Sequence, residues 1–328
     1  MIRPPLSKFR AAGALALAAL VAACGGGGGG GLPEPTINLT INVNNQDEVA
    51  RASFGSSVSA AVGGFAPGSA GSSTSLAVKR AQAAAVLAAR KRIAADVSDV
   101  FCDNWNTPGD VGVADEVDTD TAPLGQLNVG DGARVTFTNC LSAGSKANGV
   151  MTLTITELNS SRLSFAIATS NFSVLDTSTG YTASLDGGFS LSLSGDDTAF
   201  TTRMSIGNEL VLTADVGPLS DTVTLLRGYV TQATYTPDDF TTRSTTEGFV
   251  DSMAAGGTFR ISTVQALQQL DEDDYPSSGQ LLVQGVNSRL RATVLSARDV
   301  LLEVDENGDG TYDRSATVTW ASLLGAPV

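Results

Sequence analysis

The residues from Asp305 to Asp313 have the types and spacing that bind a hard cation. Asp305, Asn307 and Asp309 fall at alternate positions, Gly308 and Gly310 follow the last two of them, and Asp313 closes the run. Oxygen donors at this spacing converge where glycine permits a sharp turn, the first half of a calcium loop. A full loop asks for a bidentate Glu at its twelfth position, where this chain has Ala316. The flanks, Val300–Val304 and Ala316–Trp320, carry the period of strands and not of helices. Two readings stay open: a strand-flanked calcium loop held by Asp305, Asn307, Asp309 and Asp313, or a hairpin turn, for which Asn-Gly and Asp-Gly are favoured.

Two other acidic runs, Asp115–Asp120 and Asp271–Asp274, could supply the paired carboxylates of a hydrolase. Such pairs need a cleft with aromatic platforms for sugars, and the chain has only Trp105 and Trp320. They read as solvated loops. With no histidine among 328 residues, Ser-His-Asp and Cys-His catalysis and histidine-ligated metals are excluded. A net charge of −14 has the wrong sign for wrapping phosphate backbones, which excludes nucleic acid as a main partner. No residue is assigned a catalytic role, and the expectation is a protein that is not an enzyme.

The N-terminus carries an address. Arg3, Lys8 and Arg10 precede an unbroken apolar run, Ala11–Ala23, which is shorter than the roughly 17 to 25 residues of a spanning helix. The run ends in Leu20-Val21-Ala22-Ala23-Cys24. This resembles the lipobox of bacterial lipoproteins, an aliphatic residue and two small residues before an invariant cysteine. The resemblance implies lipid on the Cys24 thiol, with palmitate among its acyl chains, cleavage before Cys24 and acylation of the new amino group. Two or more chains anchor stably, at about 0.8 kcal/mol per buried CH₂. Gly25 in place of an aspartate after the cysteine points to the outer membrane, on its periplasmic or its surface face.

Loss of residues 1–23 leaves 17 basic against 34 acidic residues, a net −17. With Cys24 given to lipid, Cys102 and Cys140 remain as an even pair in an oxidising compartment, and a disulfide between them follows.

The elements that must position these residues divide the chain into a signal peptide (1–23), a glycine-rich tether (24–36), an N-terminal strand, loop and helix (37–100) and an antiparallel β domain (101–328). Ile37–Val43 alternates apolar and polar residues as a half-buried strand does, and Ser53–Ser75 reads as loop with a short helix at most. Leu76–Val100, rich in Ala, Lys, Arg and Leu without Gly or Pro, predicts one long helix packed on the sheet. Its basic residues Lys79, Arg80, Arg90, Lys91 and Arg92 either line a solvated face or touch anionic head groups or polysaccharide.

From Gly132–Cys140 to Ala316–Trp320, Thr/Ser/Val segments between turn residues predict a mainly β fold, one large antiparallel sheet forming an open or closed barrel-like structure or a sandwich. Val223–Tyr235 reads as one strand, and Asn148-Gly149, Asp186-Gly187 and Glu247-Gly248 read as turns preceding Thr/Ser/Val-rich strands, similar hairpin units whose uneven spacing makes them no true repeat. Aromatic residues make up 6% of the chain, too few for a membrane barrel with aromatic girdles. Asp131–Cys140, Tyr275–Gly279 and Asp305–Trp320 together look like uncharacterised β-rich outer-membrane lipoproteins of proteobacteria. The expectation is a lipid-anchored envelope protein that binds or scaffolds an envelope lipid, polysaccharide or protein. A curved sheet with an apolar concave face would suit a lipidic ligand. The alternatives are a calcium-dependent surface or adhesion module and a carboxylate-dependent hydrolase.

Overall fold

Strand β10 (Thr241–Ser252) shows how the chain makes its sheet. Thr241, Ser244 and Thr246 turn inward while Arg243, Thr245 and Glu247 face solvent; at Gly248 the alternation breaks and three consecutive residues, Gly248, Phe249 and Val250, are buried. A strand that keeps period 2 on both sides of such a break has changed direction there.

The computed structural model describes residues 33–61, 102, 113–118, 129–130, 132–142, 144–159, 161–177, 180–195, 199–215, 220–236, 239–270 and 273–324. Among them are the remaining strands β1 (Val113–Asp118), β2 (Gly132–Ser142), β3 (Ser145–Leu158), β4 (Arg162–Asp176), β5 (Thr182–Gly195), β6 (Phe200–Ser205), β7 (Glu209–Asp215), β8 (Asp221–Leu226), β9 (Val230–Thr236), β11 (Gly257–Leu270), β12 (Ser278–Gly285), β13 (Ser288–Val294), β14 (Asp299–Asp305) and β15 (Arg314–Thr319). The two helices are α1 (Gln46–Ala61) and α2 (Trp320–Leu324).

All fifteen strands belong to one antiparallel sheet. It is a meander. β6 and β7 lie end to end along β5, and β8 and β9 lie end to end along β10. The ladder does not close among the described residues, where β1 pairs only with β2 and β15 only with β14. The stretch expected as one strand, Val223–Tyr235, is thus two, interrupted at Arg227–Tyr229 but following a single line across the sheet.

A crease crosses this sheet. Asn139 in β2 and Asn171 in β4 have φ of 50° beside register shifts, and Gly149, Gly187 and Gly248 have φ of 108°, 122° and 143° in the middle of β3, β5 and β10. Between them the β6–β7 and β8–β9 breaks meet, through Ile206 N donating to Tyr229 O at 2.9 Å and Gly228 N to Ile206 O at 3.0 Å. The expected hairpin turns at Gly149, Gly187 and Gly248 are therefore mid-strand kinks. A dipeptide suited to left-handed backbone serves a turn and a bulge equally well.

Bending lets the sheet wrap α1, which touches strands as far apart as β6 and β14. At about 4.8 Å per strand a flat sheet could not bring both against a helix about 10 Å wide. One buried cluster results, joining Val49, Ala50 and Phe54 of α1 to Leu185, Leu210, Leu225, Phe259, Ile261, Leu290 and Leu302 of the sheet and to Trp320 of α2.

The helices differ from expectation. Among the described residues the helices are short, 16 and 5 residues, and neither is the one long N-terminal helix expected to pack on the sheet; the stretch Leu76–Val100 for which it was predicted lies outside the described residues. α1 begins at Gln46 and continues to Ala61 through part of the stretch read as loop. Its residues 52–57 are all buried, while Asp47 is exposed and Gln46, Glu48 and Arg51 are half-buried, so only its start shows a polar side. Three of its serines bond inward to the helix backbone: Ser53 Oγ donates to Val49 O at 2.7 Å, and Ser56 and Ser57 Oγ donate to Ser53 O at 3.0 and 2.7 Å. Asp47 and Glu48 stand in its first turn, where the helix dipole favours acids.

Residues 37–43 form no strand. They cross the strand ends as a strap: Asn38 N and Leu39 N donate to Thr258 O, Leu39 O accepts from Val286 N, Ile41 N donates to Ser288 Oγ and Val43 N to Glu306 Oε1. Leu39 and Ile41 are buried, so the alternation seen in sequence is real but belongs to a segment that crosses the strand ends.

Candidate functional site

The Asp305–Asp313 loop joins β14 to β15 and folds around one buried carboxylate. Asp305 is fully buried, its Oδ1 accepting from Gly308 N at 2.6 Å and its Oδ2 from Gly310 N at 2.9 Å. Asn307 Oδ1 accepts from Asp309 N at 2.8 Å, Asp309 Oδ1 from Thr311 N at 2.7 Å and Asp313 Oδ2 from Glu306 N at 3.2 Å. Hydrogen bonds from Thr311, backbone first, hold the Asp309 carboxyl below its usual pKa. The four oxygen-bearing side chains thus face the loop's own amides, the geometry of nested Asx turns. Among the described residues no three acidic or cysteine side chains converge as a metal would require.

The other acidic residues lie apart. Asp115, Glu116 and Asp118 belong to β1 and not to a loop. Asp273 and Asp274 sit in the turn before β12, and Asp271 and Glu272 lie outside the described residues. Trp320 is no sugar platform: it starts α2, is buried, meets Phe54 edge-on with ring centroids 4.7 Å apart, and stacks on Tyr275 at 5.5 Å.

Cys102 and Cys140 are paired, their Cα atoms 4.9 Å apart, in a small apolar cluster with Val135, Phe137 and Ala147. Cys140 lies in β2 just past the Asn139 bulge, so the link reaches the sheet at its crease. Cys24 lies outside the described residues.

Sequence reasoning missed a buried hydroxyl cluster between α1 and the crease. Tyr229, fully buried, points its hydroxyl among those of Ser56, Ser57 and Thr246, and none of the three makes a well-aligned hydrogen bond to it. Burial pushes the Tyr229 pKa up to about 12 against the opposing pull of those hydroxyls. Thr246 Oγ1 also lies 3.2 Å from Thr231 Oγ1, and Thr246 N donates to Thr263 Oγ1 at 2.6 Å. A phenol held so firmly protonated is a poor general base, and its neighbouring serines spend their protons on the helix backbone. The cluster anchors α1 in the curl of the sheet. The only hint in sequence is the run Ser53–Ser57, unusually polar for a buried helix.

The strap gathers three turns at one end of the sheet: β10–β11 at Thr258, β12–β13 at Val286 and β14–β15 at Glu306. Gly257 and Gly285 admit it, since a Cβ on either would meet Asn38 Oδ1 or Leu39 O at about 2.6 Å or less. Compared with known protein families, curated proteins and solved structures, the chain matches none.

Proposed function

We propose that this is a lipid-anchored envelope protein, tethered through Cys24 to the outer membrane, whose β body serves as a non-catalytic binding or structural element. The observation that carries the reading is the cysteine arithmetic: of three cysteines, two pair with each other, and the one left over is the cysteine of the Val21-Ala22-Ala23-Cys24 box. A disulfide suits an exported protein. The inner face of the sheet, where a lipidic ligand was expected, is occupied among the described residues by α1, which disfavours a lipid held there.

The test is metabolic labelling with an alkyne palmitate in a Gram-negative host. The wild-type protein takes the label and its mature chain begins at acylated Cys24, while Cys24→Ser takes none. A wild-type protein that stays unlabelled and soluble after export overturns the reading.

A further inference from the structure

Two dipeptides of the β14–β15 loop, Asn307-Gly308 and Asp309-Gly310, have the chemistry for self-modification. A glycine amide, unscreened by a side chain, can attack the carbonyl carbon of the side chain before it. At Asn307 the Gly308 nitrogen gives up its proton and bonds to Cγ, the Cγ–Nδ2 bond breaks, and Nδ2 leaves with that proton as ammonia. Water then opens the cyclic imide at either of its carbonyls. The sum is asparagine plus water giving ammonia and aspartate or isoaspartate, with no oxidant or reductant, and asparagine is thermolabile.

The fold places both nucleophiles on one buried carboxylate. Gly308 N donates to Asp305 Oδ1 at 2.6 Å and Gly310 N to Asp305 Oδ2 at 2.9 Å, and Asp305 is fully buried. An amide that donates to a carboxylate keeps its proton, because the anion it would become faces a negative charge at hydrogen-bond distance. Asn307 itself stands exposed to water, its Oδ1 accepting from Asp309 N at 2.8 Å. The electrophile is thus open and the nucleophile locked. At the second dipeptide the electrophile is blocked as well, since hydrogen bonds from Thr311 favour the ionised form of the Asp309 carboxyl, and a carboxylate resists attack.

We propose that Asn307 is a latent deamidation site, which the Asp305 carboxylate keeps closed in the folded loop by holding the Gly308 amide. Opening of the loop releases the amide, and conversion then proceeds at the rate of a free Asn-Gly pair. Isoaspartate at 307 adds a carbon to the main chain, so the loop cannot restore both bonds to Asp305 in their present form. The chain carries its own control. Asn148-Gly149, the other Asn-Gly pair in the sequence, lies within β3, with Asn148 Oδ1 accepting from Asn139 N at 2.8 Å and Gly149 close against the backbone of Asn171 and Phe172. It is freed when the sheet unfolds and not when the loop opens.

The test ages the full-length protein in mildly alkaline buffer, native and in urea, and follows residues 148 and 307 by peptide mass, with isoaspartate counted by enzymatic methylation. Native wild type converts Asn307 at least about tenfold more slowly than the protein in urea; equal rates overturn the proposal. Folded Asp305→Asn, which keeps the shape of the side chain but turns an amide toward the loop, converts Asn307 several times faster than wild type while Asn148 stays slow. An unchanged rate at 307 in that folded variant overturns the part given to Asp305. A rise at both 148 and 307 marks a variant that has unfolded, and amide hydrogen exchange of the wild type then decides. Gly308 and Gly310 exchange more slowly than Asp309 and Thr311, whose acceptors belong to the exposed side chains of Asn307 and Asp309; exchange as fast at Gly308 as at Asp309 overturns the proposal.

Discussion

Gly248 in β10 lies against the backbone of Tyr229, so close that a Cβ at 248 would overlap the Tyr229 Cα. Its φ of 143° is one that L side chains rarely adopt. The kink that bends the sheet and the tyrosine that meets α1 are thus the two sides of one contact.

Gly248→Ala should cost more than about 2 kcal/mol, combining backbone strain with a steric clash. Gly256→Ala is the control: its φ is 88°, but open space surrounds its Cβ position, and strain alone should cost about 1 kcal/mol. Urea melts of the two variants measure the difference, and equal losses would mean that the close approach is unimportant.

Tyr229 makes the fold sensitive to alkali. Its folded pKa, about 12, lies above the ordinary value of 10.0. The folded state therefore keeps a proton that the unfolded chain gives up, and stability that is full below pH 10 declines as pH rises toward 12. The loss from this one group is at most about 3 kcal/mol. Tyr275 also titrates high because of burial and the Asp274 charge, so the wild-type curve holds both contributions. Tyr229→Phe should flatten the decline between pH 10 and 12 relative to wild type; an unchanged slope would show that Tyr229 is not the group responsible.

In the β14–β15 loop, Asp305→Ala leaves the Gly308 and Gly310 amides without their acceptor and should cost about 3 kcal/mol. Asp309→Ala, on the exposed rim, should cost far less. If the carboxylates serve the loop's amides, thermal melts in excess calcium and in EDTA coincide. A calcium-dependent rise that Asp309→Ala abolishes would instead make the loop a cation site.

Reducing the Cys102–Cys140 pair, or replacing both residues by serine, releases a loop with a sequence separation of 38. The chain-entropy model puts the loss at about 4 kcal/mol. Melts with and without a thiol reductant measure it, and a reductant effect that persists in the double serine variant would point elsewhere.

Much of this fold is written in local pattern. The antiparallel β body is legible because apolar residues recur at period 2 between turn residues, and β2, β4 and β5 begin or end within two residues of where alternation places them. The cysteine pair was legible by elimination once Cys24 was set aside. The Asp305 loop was legible as a place where oxygens and glycines concentrate, but whether those oxygens face a cation or the backbone depends on where the loop's amides point, and spacing does not encode that.

What sequence alone determined is the material: strands, turn residues, an acidic balance and a pair of cysteines apart from Cys24. Tertiary structure decided what each was for. Asn148-Gly149, Asp186-Gly187 and Glu247-Gly248 became kinks in place of turns because adjacent strands continue past them and hold the chain extended on both sides. Gln46–Ala61 became a helix because the curled sheet buries its residues 49, 50 and 52–57, supplying the apolar contacts that its serine-rich sequence does not advertise. Ile37–Val43 became a strap because the strand ends, and not an open edge, offered its amides their partners. In each case the deciding interaction joins residues far apart in the chain, and periodicity reports only on neighbours.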